Sequence, residues 1–244
     1  MRNVRVIARL DIKNNFLIKG IQLEGLRKLG NPYDFSKKYF ESGIDEIIYM
    51  DSVASLYNRN SLNEIIEKTS KDIFIPITVG GGIRSIDDAN KLLRSGADKI
   101  AINTAAVENP RILEELSNRF GSSTIVLSVE AKKKTKETWE AYTNNGREKT
   151  GLDAINWCLE AEKLGVGEIL ITSVDKEGTC KGFDYDLIKS VSEKIFIPII
   201  ASGGMGELTH FEKVVKSSNC DGVAIANMLH YKKISVKEIK NFSI

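Results

Sequence analysis

Two acids and two glycine clusters carry the chemistry open to this chain. Asp11 closes the apolar run 4–10, and Glu130 closes the apolar run 124–129. Carboxyl groups at the ends of buried strands are natural proton donors and acceptors once their surroundings separate their pKa values. Gly80-Gly81-Gly82 follows Ile73-Phe74-Ile75-Pro76-Ile77-Thr78-Val79, and Gly203-Gly204 follows Ile195-Phe196-Ile197-Pro198-Ile199-Ile200-Ala201-Ser202. An apolar run ending in glycines and leading into a helix-like segment presents bare backbone N–H groups to an anion. Asn103-Thr104, Asp175 and Ala226-Asn227 follow other apolar runs and join the candidate set.

The elements that must hold these residues repeat. Ile195 lies 122 residues after Ile73, and 122 is half of 244. Gly43-Ile44-Asp45-Glu46-Ile47-Ile48 matches Gly165-Val166-Gly167-Glu168-Ile169-Leu170 at the same distance, and 97–103 matches 219–226 more loosely. Three matches in near register mark a duplicated half. Apolar, β-branched runs predict strands over 4–10, 46–50, 73–79, 99–102, 124–129, 168–172, 197–201 and 222–226. Helical spacing predicts helices over 33–42, 62–68, 87–95, 110–120, 153–164, 186–193 and 208–216. A polar segment runs from Asp11 to Pro32, and an insertion after Glu130 holds Asn145-Gly146, a hairpin-turn pair between strand-like arms. Strands of this kind, buried on both faces, belong to a parallel sheet. The fold predicted is α/β: a single (βα)8 barrel domain over 1–244, with half-barrels of about 1–121 and 122–244.

Such barrels do their chemistry at the C-terminal ends of the strands. Asp11 and Glu130 end strands one and five, on opposite sides of the mouth, and the glycine loops fall in opposite halves. This mouth suits an elongated ligand with a phosphate at each end. At the other end, Arg5, Glu46, Lys99 and Glu168 start strands one, two, four and six. Arg5 and Asp11 differ by an even number of residues, so both point inward. Charges inside a barrel need partners, and two of each sign form a neutral ring. Its plain reading is a salt-bridge layer closing the floor.

The totals narrow the classes. A formal charge of +2 argues against a nucleic-acid or anionic-membrane partner. Three cysteines without CxxC spacing and two histidines point to a reducing compartment and no metal site. Arg2, Arg5 and Arg9 interrupt the first apolar run, so no signal peptide or membrane span is expected there and the predicted location is cytoplasmic.

Leu10-Asp11-Ile12-Lys13, Lys19-Gly20, Thr78-Val79-Gly80-Gly81-Gly82, Ala97-Asp98-Lys99, 103–110, Gly178-Thr179 and Ala201-Ser202-Gly203-Gly204 together resemble the cyclase subunit of imidazole glycerol phosphate synthase. The likeness covers nearly the whole chain. It implies a separate glutaminase subunit of the class I type docked at the barrel floor. Ammonia would pass through the barrel to a phosphorylated sugar substrate at the mouth, with no cofactor. By this resemblance Arg5, Glu46, Lys99 and Glu168 form a gate, Thr78 lines the tunnel, and Asp98 docks the partner. Asp11 and Glu130 are the catalytic acids. Lys19, Gly81, Gly82, Asn103, Thr104, Asp175, Glu177, Gly178, Gly203, Gly204, Ala226 and Asn227 are matched to the substrate- and phosphate-binding set.

The chain departs from that family at the mouth. The family carries aspartate at position 130, and the extra methylene moves the carboxylate by roughly 1 Å, enough to cost on the order of 10²-fold in rate. Arg9 shares the inward face with Arg5 and Asp11 where the family has a small uncharged residue. A guanidinium there favours ionised carboxylates, against general-acid work. Arg9 either pairs with Glu130 as a compensating change or contacts an anionic group of a different substrate. Glu177 and Asn227 replace the family's aspartate and serine. These departures, with Gly25 to Gly30 and residues 49–57, resemble a paralogous branch tied to surface-polysaccharide sugars. Its members supply ammonia for turning an acetamido group into an acetamidino group on a nucleotide sugar, with an ATP-dependent sugar amidotransferase as a further partner. That reading is set first, an authentic cyclase of histidine biosynthesis second, and a non-catalytic scaffold that activates the glutaminase third. A phosphosugar isomerase ranks last, having no use for the floor ring.

Plainer readings attach to the remaining residues. Trp139, Trp157 and His230 read as packing. Lys19 is either a substrate clamp or a solvated lysine, and Lys132, Lys133 and Lys134 a solvated edge. Cys180 has no evident base beside it and is set aside as a nucleophile.

Overall fold

Short strands that are apolar on both faces require cover on both, and the chain supplies it with an outer layer of helices and an inner layer of side chains. The computed structural model describes residues 4–54 and 62–242; the end of the 49–57 segment and the start of the chain, including Arg2, lie outside them. In chain order the strands are β1 (Arg5–Lys13), β2 (Phe16–Ile21), β3 (Glu24–Gly30), β4 (Glu46–Asp51), β5 (Ile77–Gly80), β6 (Lys99–Ile102), β7 (Ile125–Lys133), β8 (Trp139–Thr143), β9 (Glu148–Asp153), β10 (Glu168–Ser173), β11 (Ile199–Ser202) and β12 (Gly222–Ile225). Eight of them close a parallel ring in the order β1, β4, β5, β6, β7, β10, β11, β12 and back to β1. This is a (βα)8 barrel, and β1 and β7 stand first and fifth around it.

Ile7, Ile48, Met50, Ala101, Val126, Leu170, Ile200 and Ala224 pack against one another inside the ring. A larger cluster, Val6, Ala8, Leu10, Ile47, Ile100, Leu127 and Ile171 among it, packs under the helices. The alternation of 7 with 6 and 8 is the pleat sorting one strand's residues to two compartments. The helices are α1 (Pro32–Glu41), α2 (Asn63–Asp72), α3 (Ile86–Arg94), α4 (Thr104–Glu108), α5 (Arg111–Phe120), α6 (Ala154–Lys163), α7 (Tyr185–Ser192), α8 (Leu208–Ser217), α9 (Asn227–His230) and α10 (Val236–Phe242). Local caps fix several starts: Asn31 before Pro32, Ser85 accepting from Asp88 N, and Asp153 accepting from Ile155 N and Asn156 N. Among the described residues no helix is long and apolar enough to cross a membrane.

Two expectations need correction. The polar segment after Asp11 is not a plain loop: β2 and β3 form an antiparallel arm on the extended top of β1, as β8 and β9 do on β7. Each arm takes the edge that a barrel neighbour vacates. β12 pairs with Arg5–Ala8 and β2 with Asp11–Lys13, while β6 pairs with Ile125–Leu127 and β8 with Glu130–Lys133. The strands expected at 73–79 and 197–201 begin only at Ile77 and Ile199. Before them the chain crosses the barrel floor, and Phe74 and Phe196 are 78% and 94% exposed.

Candidate active site at the barrel mouth

The inward residues that start the strands meet at the floor. Arg5 Nη1 bonds Glu46 Oε2 at 2.6 Å, and its Nη2 pairs with Glu168. Lys99 Nζ lies 3.2 Å from Glu46 Oε1 and 2.8 Å from Glu168 Oε2, and Thr78 Oγ1 donates to Glu46 Oε1 at 2.7 Å. All five side chains form one neutral network, with both glutamates buried. Burial works against the Arg5 charge, but Glu168 and Glu46 outweigh it and hold the guanidinium protonated. Asp98, exposed at the start of β6, accepts from Ile77 N at 2.8 Å. Asp45 and Asp221 do the same for Val6 N and Ile199 N, a tie that fastens neighbouring strand starts.

Above the apolar inner layer the pleat brings Arg9 inward again. Its side chain is 2% exposed and crosses the barrel interior. Nε donates to Asp11 Oδ1 at 3.0 Å, and Nη1 to Thr172 Oγ1 at 2.8 Å and Ser202 Oγ at 3.3 Å. Arg9 therefore pairs with Asp11, not with Glu130 as one sequence reading had it. Lys19, carried by the β2 arm, is no solvated lysine: it is 3% exposed, pairs with Glu177 and sits 3.5 Å from Asp11 Oδ2. Burial opposes the Lys19 charge, and Glu177 and Asp11 raise its pKa regardless. For Asp11, burial would favour the neutral acid, but Arg9 and Lys19 prevail and hold it below the ordinary carboxylate range.

Glu130 faces the opposite balance. Its Oε2 accepts from Asn103 Nδ2 at 3.1 Å and from Gly146 N at 2.8 Å, both neutral donors. No cation lies within ion-pair distance among the described residues. Burial therefore dominates and pushes its pKa up to about 7, against the downward pull of Arg9. The expectation that Arg9 would keep both acids ionised holds for Asp11 alone. The mouth contains an ionised carboxylate on β1 and a half-neutral carboxyl on β7.

The glycine loops differ in what they leave open. Gly81 and Gly82 line a cavity of about 170 Å³ with Asp51, Ser52, Arg84, Asn103, Thr104 and Glu130. At Gly81, with φ +99°, a Cβ would lie 2.4 Å from Asp51 O, so only glycine fits this turn. Across the mouth Gly203 and Gly204 are buried, and a Cβ on Gly204 would meet Gly182 O at 2.1 Å. The second opening, about 510 Å³, is lined by Lys19, Arg27, Gly178, Cys180, Asn227 and Lys233, among others, without Gly203, Gly204 or Ala226. Asn103 and Ala226 have matching backbones (φ −133°, ψ −83° and φ −124°, ψ −75°) ahead of the short helices α4 and α9. Asp175 is spent on structure: its carboxylate accepts from Lys133 N at 2.8 Å and holds the top of β7. Arg27 and Lys233 were missed by sequence reasoning, since nothing in the spacing placed them at the second opening.

The remaining readings are simple. Trp139 is buried and donates to Asp184, Trp157 is buried, and Lys132 and Lys133 lie over Tyr142 and Trp139. His230 stacks on Tyr39, whose hydroxyl meets Nδ1 at 2.7 Å, and burial lowers its pKa to about 4. Cys180 Sγ donates to Gly178 O at 3.8 Å, and no base bonds it among the described residues. Nor is any cluster of potential metal ligands found among them.

Fold and mouth together define a (βα)8 barrel with two buried carboxyl groups, Asp11 and Glu130, on opposite strands at the C-terminal end. A family model described as histidine biosynthesis protein matches residues 5–235, and the chain belongs to that family, the subunit HisF type. It is 59% identical over 86% of its length to the whole of a Legionella pneumophila protein named imidazole glycerol phosphate synthase subunit HisF. It is 44% identical to the Pyrococcus furiosus protein of that name and 41% to that of Clostridium botulinum strain Okra, covering 98% of this chain and 94% of each relative. The names these relatives carry lend the surface-polysaccharide branch no support.

Proposed function

We propose that this chain is the synthase subunit of an imidazole glycerol phosphate synthase. It takes ammonia from a glutaminase subunit at the barrel floor and cyclises a sugar substrate bearing phosphates at two ends. One observation carries this reading: two carboxyl groups face the mouth from opposite strands, one held ionised by Arg9 and Lys19, the other kept protonable near neutral pH by burial. Such a pair matches acid and base duties at one pH. The neutral floor network of Arg5, Glu46, Lys99, Glu168 and Thr78 suits a gate for a small uncharged molecule, because it has no net charge to hold an ion. The Gly81–Thr104 cavity and the opening lined by Lys19, Arg27 and Lys233 suit the two phosphates. Asp98, exposed beside the floor, is suited to meet the glutaminase.

The purified chain, incubated with the cyclase's two-phosphate substrate and ammonium chloride at alkaline pH, is expected to form imidazole glycerol phosphate. No product there overturns the reading.

Arg9 favours a second one. A guanidinium buried between Asp11, Thr172 and Ser202 suits a mouth altered for another acceptor, such as an amidated nucleotide sugar served with an ATP-dependent amidotransferase. That reading predicts no cyclase turnover, with glutaminase activation retained.

A further inference from the structure

The two glycine loops of the mouth are tied down by different chemistry. Residues 81–88 and 203–210 stand 122 apart, the step of the internal repeat. In the first, Arg84 N donates to Asp88 Oδ2 at 3.1 Å and Asp88 N to Ser85 Oγ at 3.1 Å, a reciprocal clasp at the start of α3. In the second, Gly206 N donates to His210 Nδ1 at 3.1 Å, so an imidazole does at 210 what a carboxylate does at 88. Glu207 stands where Ser85 stands, and its side chain caps no N–H of α8. The second tie therefore has no reciprocal side-chain bond. Because Nδ1 accepts, the neutral ring carries its proton on Nε2, which lies 3.4 Å from Glu207 Oε1.

The tied loop backs the second opening. Gly206 packs on Cys180, whose carbonyl oxygen a Cβ at 206 would strike, and Gly204 O accepts from Gly182 N at 2.8 Å. A Cβ on Gly182 would lie 3.5 Å from the His210 ring. Gly178 and Cys180 line the opening. A carboxylate stays an acceptor across the neutral range, whereas an imidazole nitrogen that takes up a proton becomes a donor. On protonated His210, two N–H groups would face each other at Gly206. We propose that His210 is a positioning residue: its neutral ring holds the 203–206 loop and the 178–182 segment in place, and its protonation releases them. The second opening then loses anion affinity in mild acid, while the first, tied by Asp88, keeps it. This deepens the proposed function and rests on its reading of both openings as phosphate sites. The charged and titratable groups around the ring are Glu207 ahead of α8, Lys213 on α8 over the Tyr185 ring, Tyr185 on α7, and Lys176, Cys180 and Lys181 before α7.

The test is amide NMR of the ¹⁵N-labelled full chain from about pH 5 to about pH 8.5, the span over which histidines change charge. Hydrogen-exchange protection is read alongside, with inorganic sulfate, a dianion throughout, as the anion probe. The Gly206 amide is expected to titrate while the Arg84 amide holds still. On the acid side, amides of 178–182 and 203–206 are expected to lose protection. Sulfate is expected to bind the second opening about two- to tenfold more weakly there, the span of one lost hydrogen bond, with its affinity for the first unchanged. His210→Asn keeps an acceptor close to the Nδ1 position without titrating, and is expected to remove the pH dependence. His210→Leu is expected to show the acid behaviour at every pH. A Gly206 amide indifferent to pH, tighter sulfate binding at the second opening in acid, or an unchanged pH dependence in His210→Asn overturns the proposal. Should His210→Leu not fold, the unaltered chain and His210→Asn decide. Sulfate binding at neither opening counts against the two-phosphate reading, and the Gly206 titration and the protection factors then decide the tie by themselves.

Discussion

Glu130 makes the fold itself sensitive to pH, in a direction opposite to most carboxylates. Its carboxyl titrates at about 7 in the folded chain against 4.5 in the unfolded one. Between those values the folded state holds a proton that the unfolded state has released, so stability falls as pH rises, by about 1.4 kcal/mol per pH unit. The loss begins near pH 4.5, is complete above pH 7, and totals about 3 kcal/mol. His230 works the other way, since its folded value of about 4 lies below the ordinary 6.5; stability through His230 rises with pH over that range. Glu130→Gln separates the two, because the glutamine carbonyl can still accept from Asn103 Nδ2 and Gly146 N while nothing titrates there. Urea unfolding of both proteins from pH 4.5 to 8.5 is the assay. The variant is expected to gain on the parent steadily as pH rises, reaching an advantage of about 3 kcal/mol at the alkaline end relative to the acid end. A pH-independent difference would refute the claim that burial controls this carboxyl.

Three other outcomes follow from the geometry. Arg5→Met leaves Glu46 and Glu168 buried with Lys99 as their shared cation, and is expected to cost about 3–5 kcal/mol in denaturant unfolding; if the floor is a gate, glutamine-driven turnover changes more than ammonium-driven turnover. Glu130→Asp, although it restores the family's residue, draws the carboxylate back from Asn103 and Gly146 by roughly 1 Å, and kcat with ammonium is expected to fall on the order of 10²-fold. His230→Phe keeps the ring stacked on Tyr39 but removes the hydrogen-bond partner at 2.7 Å from its hydroxyl, so thermal unfolding should report a loss of about 1–3 kcal/mol.

The barrel was legible because its strands are apolar on both faces and its halves repeat. The register of Arg5, Arg9 and Asp11 was legible because a strand alternates with period two. What the pleat cannot say is which acid an inward cation will choose. Arg9 reaches Asp11 on its own strand, and its Nη1 is then claimed by the hydroxyls of Thr172 and Ser202, so Glu130 keeps to neutral donors. The β2–β3 arm escaped because it stands above the barrel with one face wet, which blurs its pattern. Its signal was Asn14-Asn15, both at positive φ (49° and 65°) in the two-residue turn between β1 and β2. The apolar stretches 73–76 and 195–198 read as strand because hydrophobicity does not distinguish a buried edge from an uncovered one, and Phe74 and Phe196 are uncovered.

The arms on β1 and β7 divide the labour between permanence and novelty. Asp11 and Glu130 both sit at the storey where a strand has left one parallel neighbour and taken up an antiparallel arm, at Ile18 and Tyr142 respectively. Below that level β1 and β7 take their register from their parallel barrel neighbours. A lineage can therefore swap or remodel either arm, and with it the residues that roof each acid, while the cylinder that aims them stays as it was.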